Sequence, residues 1–298
     1  MKNKYWWFET VWHKKMVKAL RVAGMGERTQ ETYVRTMRKL VEFYDKMPDK
    51  ISEQELIDYF IHCQEVIEWS PATMRICYSG IKFFFINVLK RKWHTLKLVK
   101  AKREKRLPAI LSREEVRKIL SHVNTLHNYA YLQTVYSCGL RLQEGLFLEV
   151  SDIDGKRNMI HVHRGKGARH RYVPLPKATY HLLRKYWITH QNKKLIFPAV
   201  GRGNNSKGPV SKIPMSIEGV QGAFRRAKIE AGIKKRASIH TLRHSYATHL
   251  LEAGVNLRVI QKNLGHSNIE TTMIYLHLTN KGMEDAYQII DSLMKEED

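Results

Sequence analysis

Residues 239–277 read IHTLRHSYATHLLEAGVNLRVIQKNLGHSNIETTMIYLH, and this stretch restricts the fold more than any other. Tyr246, Ala247, Leu250 and Leu251 recur at helical spacing, as do Val259, Ile260 and Leu264. Gly254 closes the first run and Gly265 the second, as helix-ending glycines do. The segment therefore reads as two amphipathic helices in series with polar residues at their ends. His240 and Arg243 flank the start of the first helix, where free N–H groups and the helix dipole favour an anion. His266 falls just past the second, where its imidazole can point into a cleft, and Tyr275 follows. Imidazoles, a guanidinium and a phenol thus surround a site of phosphate size. His240 and His244 lie four apart, a zinc-like spacing. The Glu of a zinc-protease helix is missing, however, and Arg243 would sit beside the cation. No metal and no cofactor are expected.

Charge points the same way. Lys plus Arg number 52 against 28 acids, a net charge of +24. Such an excess repels itself in the folded state, and a polyanion relieves it. Nucleic acid is the natural partner, bound mostly through phosphates and so sensitive to salt. Cys63, Cys77 and Cys138 are widely spaced and odd in number, and no Cys-x-x-Cys occurs, so neither a disulfide scaffold nor a cysteine-built zinc site is indicated. A reducing cytoplasm fits. No apolar run approaches ~20 residues, so no membrane span is expected. The N-terminus is aromatic but broken by charge, unlike a signal peptide.

With 298 residues the chain has room for two domains. Residues 1–15 are treated as an N-terminal extension in which Trp6, Trp7 and Trp12 pack inward. Residues 16–98 read as a small all-helical domain. Tyr33, Met37, Leu40, Val41 and Tyr44 form one stripe. Ser52 with Glu55 is a capping box, and Ser70-Pro71 is an N-cap followed by a first-turn proline. Residues 99–111 form a basic linker that lacks an apolar stripe, with Lys102 and Arg103 placed to contact a nucleic-acid backbone. A second domain spans 112–298, opened by the capping box Ser112–Glu115. It holds a helix through Tyr131, Leu132, Val135 and Tyr136, then Gly139, with Arg141 and Glu144 just beyond. Strands around Met159–Val162 and Tyr172–Val173 flank a glycine-lined tip, Arg164-Gly165-Lys166-Gly167. Residues 199–213 are rich in Gly, Ser and Asn and read as a flexible loop.

The 239–277 stretch resembles the C-terminal motif of the tyrosine recombinases, the phage-integrase family. There the pattern is H-x-L-R-H-S-[FY]-A-T-H-L-L-E-x-G, then L-G-H, then a tyrosine nine residues on. His240, Arg243, His266 and Tyr275 occupy those positions. Leu276 follows the tyrosine where many members have Thr. G-L-R-x-x-E is also complete, with Arg141 as a catalytic arginine and Glu144 as its support.

The resemblance implies several further roles. Lys166 in its Gly-Lys-Gly turn is the catalytic lysine. Arg164, Arg169, His170 and Arg171 lie near phosphates, and Lys234, Lys235 and Arg236 face DNA. The fold implied is mainly α in two domains: a helical core-binding, SAM-like clamp, and an α+β catalytic domain with a small antiparallel sheet. Tyr275 would form a 3′-phosphotyrosyl bond without metal or ATP. A homo-oligomer on double-stranded DNA is implied, a tetramer of two dimers, with accessory DNA-bending proteins as possible partners. The helically spaced tail after Tyr275 fits either its own core or, by the resemblance, the next protomer in a ring. A non-enzymatic DNA binder on this fold would need a degraded catalytic position, and none is degraded. A topoisomerase-like enzyme with the same chemistry is the other alternative; the motif spacing is closer to the integrases.

Overall fold

The computed structural model describes residues 6–91, 107–163, 170–201 and 208–279, with Tyr287 and Ile290. The chain divides into two units, 1–106 and 107–298, each with its own buried core.

The first unit is helical: α1 (Trp6–Glu9), α2 (Val11–Val22), α3 (Glu27–Tyr44), α4 (Glu53–Glu65) and α5 (Pro71–Phe83), which runs into one π-helical turn, Phe84–Val88. The expected caps form. Ser52 accepts from the Glu55 N–H while Glu55 accepts from the Ser52 N–H. Ser70 accepts from the Thr73 N–H, with Pro71 in the first turn. The α3 stripe buries Met37, Leu40 and Val41 against α5. The described part of the expected N-terminal extension is not separate. Thr10 caps α2, which runs unbroken past residue 15, and Trp7 shares one core with Met16 and Leu20. Burying a tryptophan, worth ~2–3 kcal/mol, ties these residues to the bundle.

The second unit opens with α6 (Arg113–Ser121), whose capping box Ser112–Glu115 is also formed. Then come α7 (Leu126–Ser137), α8 (Leu142–Leu146), β1 (Ile153–Asp154), β2 (Met159–Val162), β3 (Arg171–Pro174) and α9 (Lys177–Ile188). They are followed by α10 (Ile217–Glu230), α11 (Ile239–Glu252), α12 (Leu257–Leu264) and α13 (Glu270–Met273). The fold class is as the sequence implied: mainly helical, with one three-stranded antiparallel sheet in the order β1-β2-β3. Ile160 pairs with Val173 across β2 and β3, and both are buried. The base of the 199–213 loop is closed: Pro198 bridges Pro214, and the Asn192 side-chain amide donates to Gly208 and Ser211 carbonyls. All three cysteines are buried and free. Among the described residues no helix is long and apolar enough to cross a membrane.

Candidate active site

Three arginines meet at one carboxylate. Arg141 is the N-cap of α8, and Glu144 one turn on accepts from the Arg141 backbone N–H at 2.8 Å and its Nη1 at 2.7 Å. Glu144 is buried, and Arg171 from the start of β3 grips both its oxygens, at 2.9 and 2.7 Å. Arg243 of α11, only 1% exposed, lies 3.6 Å from the same carboxylate. Burial alone would raise the Glu144 pKa. The Arg171 and Arg141 contacts outweigh it and hold the group at about 2. Three guanidiniums sharing one carboxylate leave two positive charges in excess.

The end of α12 fixes the three arginines from the other side. Successive carbonyls accept one each: Asn263 from Arg171 Nε at 2.8 Å, Leu264 from Arg243 Nη2 at 2.5 Å, Gly265 from Arg141 Nη2 at 3.3 Å. A helix C-terminus favours cations. Gly265 makes the turn with φ +64°, and a Cβ there would lie 2.9 Å from Arg171 Cδ. Arg243 Nη1 also donates to the Gly139 carbonyl at 2.7 Å. Burial and then the like charge of Arg141 lower the Arg243 pKa to about 9, which leaves it protonated at neutral pH.

His266 follows directly. Arg243 Nη2 lies 3.2 Å from its Nε2 and can only donate, so Nε2 accepts. The proton therefore sits on Nδ1 and points to Thr272 Oγ1, 2.9 Å away. Burial, then Arg243 and Arg141, push the His266 pKa to about 3, so the ring is neutral at pH 7. Thr272 lies in α13, and two residues past that helix stands Tyr275, 1% exposed. Its hydroxyl lies 3.0 Å from His244 Nδ1. Burial raises the phenol pKa, against the pull of Arg243 and Arg141. Burial, then His240 and Arg243, bring His244 down to about 4, so it is neutral at pH 7, and with its proton on Nε2 its Nδ1 accepts from the phenol. The His240 ring stands edge-on to His244, centroids 4.6 Å apart. Partial loss of hydration, then Arg243 and Arg141, lower its pKa as well.

Arg141, His240, Arg243, His266 and Tyr275 thus surround one pocket, with Tyr275 supplied by the same chain. A cleft of ≈ 690 Å³ opens beside it, lined among others by Arg141, His170, Arg258, Lys262 and His266. Two expectations change. Arg171 is not a free phosphate contact, because its fork is engaged by Glu144 and Asn263. Lys235 is committed too, its ammonium donating to Glu115 and the Ile110 carbonyl, while Lys234 and Arg236 are exposed. Lys166, Arg164, Arg169, Lys102, Arg103 and most of the tail after Thr279 lie outside the described residues. The sequence reading missed His244 as the partner of Tyr275. Its place one turn after His240, on the same helix face, was the available signal.

Comparison with known proteins gives this arrangement its class. The phage integrase family matches residues 109–281, and the N-terminal SAM-like domain of phage integrases matches 12–95. The tyrosine recombinase XerD of Oceanobacillus iheyensis is 32% identical over 282 residues, covering 89% of this chain and 92% of the relative. Two solved structures share the fold. XerH bound to palindromic difH in a post-cleavage complex has a TM-score of 0.70 at 22% identity, covering 92% of this chain and 83% of that one. A lambda integrase dimer bound to a COC′ core site has a TM-score of 0.69 at 18% identity, covering 89% and 93%. The chain belongs to the phage integrase family of tyrosine recombinases.

Proposed function

We propose that this protein is a site-specific recombinase that cuts and rejoins DNA through a 3′-phosphotyrosyl intermediate. The observation that carries the reading is the excess of positive charge around Glu144, next to a buried phenol with a neutral imidazole as its acceptor. A phosphodiester entering the cleft supplies the missing anion. Tyr275 attacks phosphorus, the 5′-oxygen leaves, and the ester energy is kept in the new bond. Negative charge building on the two non-bridging oxygens meets the positive charge of Arg141 and Arg243. One such preorganised donor is worth ~3 kcal/mol. The phenolic proton passes to His244, the nearest acceptor, with His240 as carrier. His266 has its Nε2 turned to Arg243 and so positions that guanidinium. Lys166, by its Gly-Lys-Gly context, protonates the leaving 5′-oxygen. Attack by a 5′-hydroxyl of another strand reverses the chemistry and gives a Holliday junction.

Two sites must then be held together, which fits a tetramer of two dimers on DNA in the cytoplasm, with DNA-bending proteins assisting. Integration or excision of a mobile element, or resolution of multimers, is the corresponding role. A nicked duplex that loses its 5′-hydroxyl fragment after cleavage tests the chemistry. Wild type is expected to form a covalent protein–DNA band that Tyr275→Phe abolishes while still binding DNA. No band from wild type, despite binding, would mean a non-catalytic DNA binder. Four-way junctions from paired sites separate recombination from topoisomerase-like relaxation.

A further inference from the structure

One face of the sheet takes no part in this chemistry. Ile160, Val162 and Val173 are buried on the core side, so their alternates project the other way. These are His161 on β2 and His163, the residue just past its end. Extending the β1–β2 register sets Asp152 opposite His161, and β3 sets Tyr172 opposite it on the other side. One ligand atom each from Asp152, His161 and His163 lie within 4.8 Å of one another. His163 Nδ1 is 2.7 Å and His161 Nδ1 4.0 Å from Asp152 Oδ1. Asp152 is 5% exposed, and its second oxygen accepts from the Glu149 N–H at 2.8 Å. The His161 ring is stacked with Tyr172 and His170, at 4.8 and 5.5 Å between centroids.

We propose that Asp152, His161 and His163 bind a divalent transition-metal ion of the zinc class. Two imidazoles and a carboxylate form an established ligand set for such ions, with bonds of ~2.0–2.2 Å. On a tetrahedron those bonds set ligand atoms ~3.4 Å apart, so the 2.7 Å contact opens and the 4.0 Å one closes by well under ~1 Å. The outer supports are in place: the Glu149 N–H orients the carboxylate, and stacking orients His161. The remaining position is open to water or to His170, which is exposed and stacked on His161. The ion would join the turn before β1 to the end of β2, from which residues 164–169 depart. It would anchor the base of the segment that carries Lys166. The site stands independently of the recombinase reading, since none of its three residues belongs to the Tyr275 pocket.

Tag-free full-length protein, stripped with a chelator, would be titrated with zinc against a chromogenic competitor, and with cobalt to read its visible absorption. One equivalent should bind with a micromolar or tighter Kd. Asp152→Asn, His161→Gln and His163→Gln should each weaken binding at least ~10-fold. His181→Gln, at an exposed position on α9, should not. Circular dichroism would check folding; should Asp152→Asn unfold, the partly exposed His161 carries the test. Absence of saturable binding, or equal affinity in all three variants, overturns the proposal.

Discussion

The Tyr275 hydroxyl rests 3.0 Å from His244 Nδ1, in the same chain and out of solvent. Because His244 is neutral well below pH 7, it accepts the phenolic proton rather than competing to donate. General-base assistance is worth ~10²–10⁴ in rate. His244→Gln should therefore slow single-turnover covalent-complex formation by about 10² with DNA affinity unchanged. An unaltered rate would leave His240 as the sole acceptor.

Glu144→Gln should cost about 3–5 kcal/mol, because it leaves buried guanidiniums without their counter-charge. Glu144 has its folded pKa depressed to about 2, so its stabilisation is present above the ordinary carboxylate range and is lost as pH falls toward 2. At neutral pH that difference is about 3 kcal/mol. Denaturant midpoints for wild type and variant at pH 7 and pH 3 should converge on acidification; a constant gap would contradict this.

His244 and His266 act in a higher window. Their folded pKa values, about 4 and about 3, lie below the ordinary 6.5, so the unfolded chain takes up protons first. Their contribution is full above pH 6.5 and declines as pH drops toward 4, by about 1.4 kcal/mol per unit for each ring at most. Tm should fall between pH 7 and pH 5, and His266→Gln should flatten that fall. Parallel profiles would refute the assignment.

Gly265→Ala and Gly254→Ala make a matched pair. Both glycines have positive φ, +64° and +85°, but only at Gly265 would a Cβ meet Arg171; nothing lies within 4 Å of one at Gly254. Gly254→Ala should cost ~1 kcal/mol of backbone strain. Gly265→Ala should cost about 1–3 kcal/mol and also slow cleavage, because Arg171 and the Gly265 carbonyl must shift. Equal cleavage rates in the two variants would show that the clash is absorbed harmlessly.

Lys234→Ala and Arg236→Ala, at exposed basic positions, should weaken DNA binding and each reduce the log–log salt slope by about 1. Lys235→Ala should instead lower stability, through its contact with Glu115. A salt slope unchanged in the first two would remove that surface from the DNA interface.

What the sequence disclosed was local. The Ser52–Glu55 and Ser112–Glu115 boxes close within one turn, so four residues specify them. Arg141, Arg243, His266 and Tyr275 were legible because their motif spacings accompany helix ends. Arg171 was misjudged because its partners stand 27 and 92 residues away, and an arginine after a hairpin looks like any exposed cation. The two-residue strand β1 carries no periodicity to detect. Trp7 packs inward as its sequence suggested, but its meeting with Phe84, far along the chain, is recorded by no local pattern.

Three consecutive peptide groups, 263 to 265, hold three guanidiniums drawn from distant parts of the second unit. Rotating that short run of backbone would take one hydrogen bond from each arginine at once, leaving Glu144 and the Gly139 carbonyl to hold them.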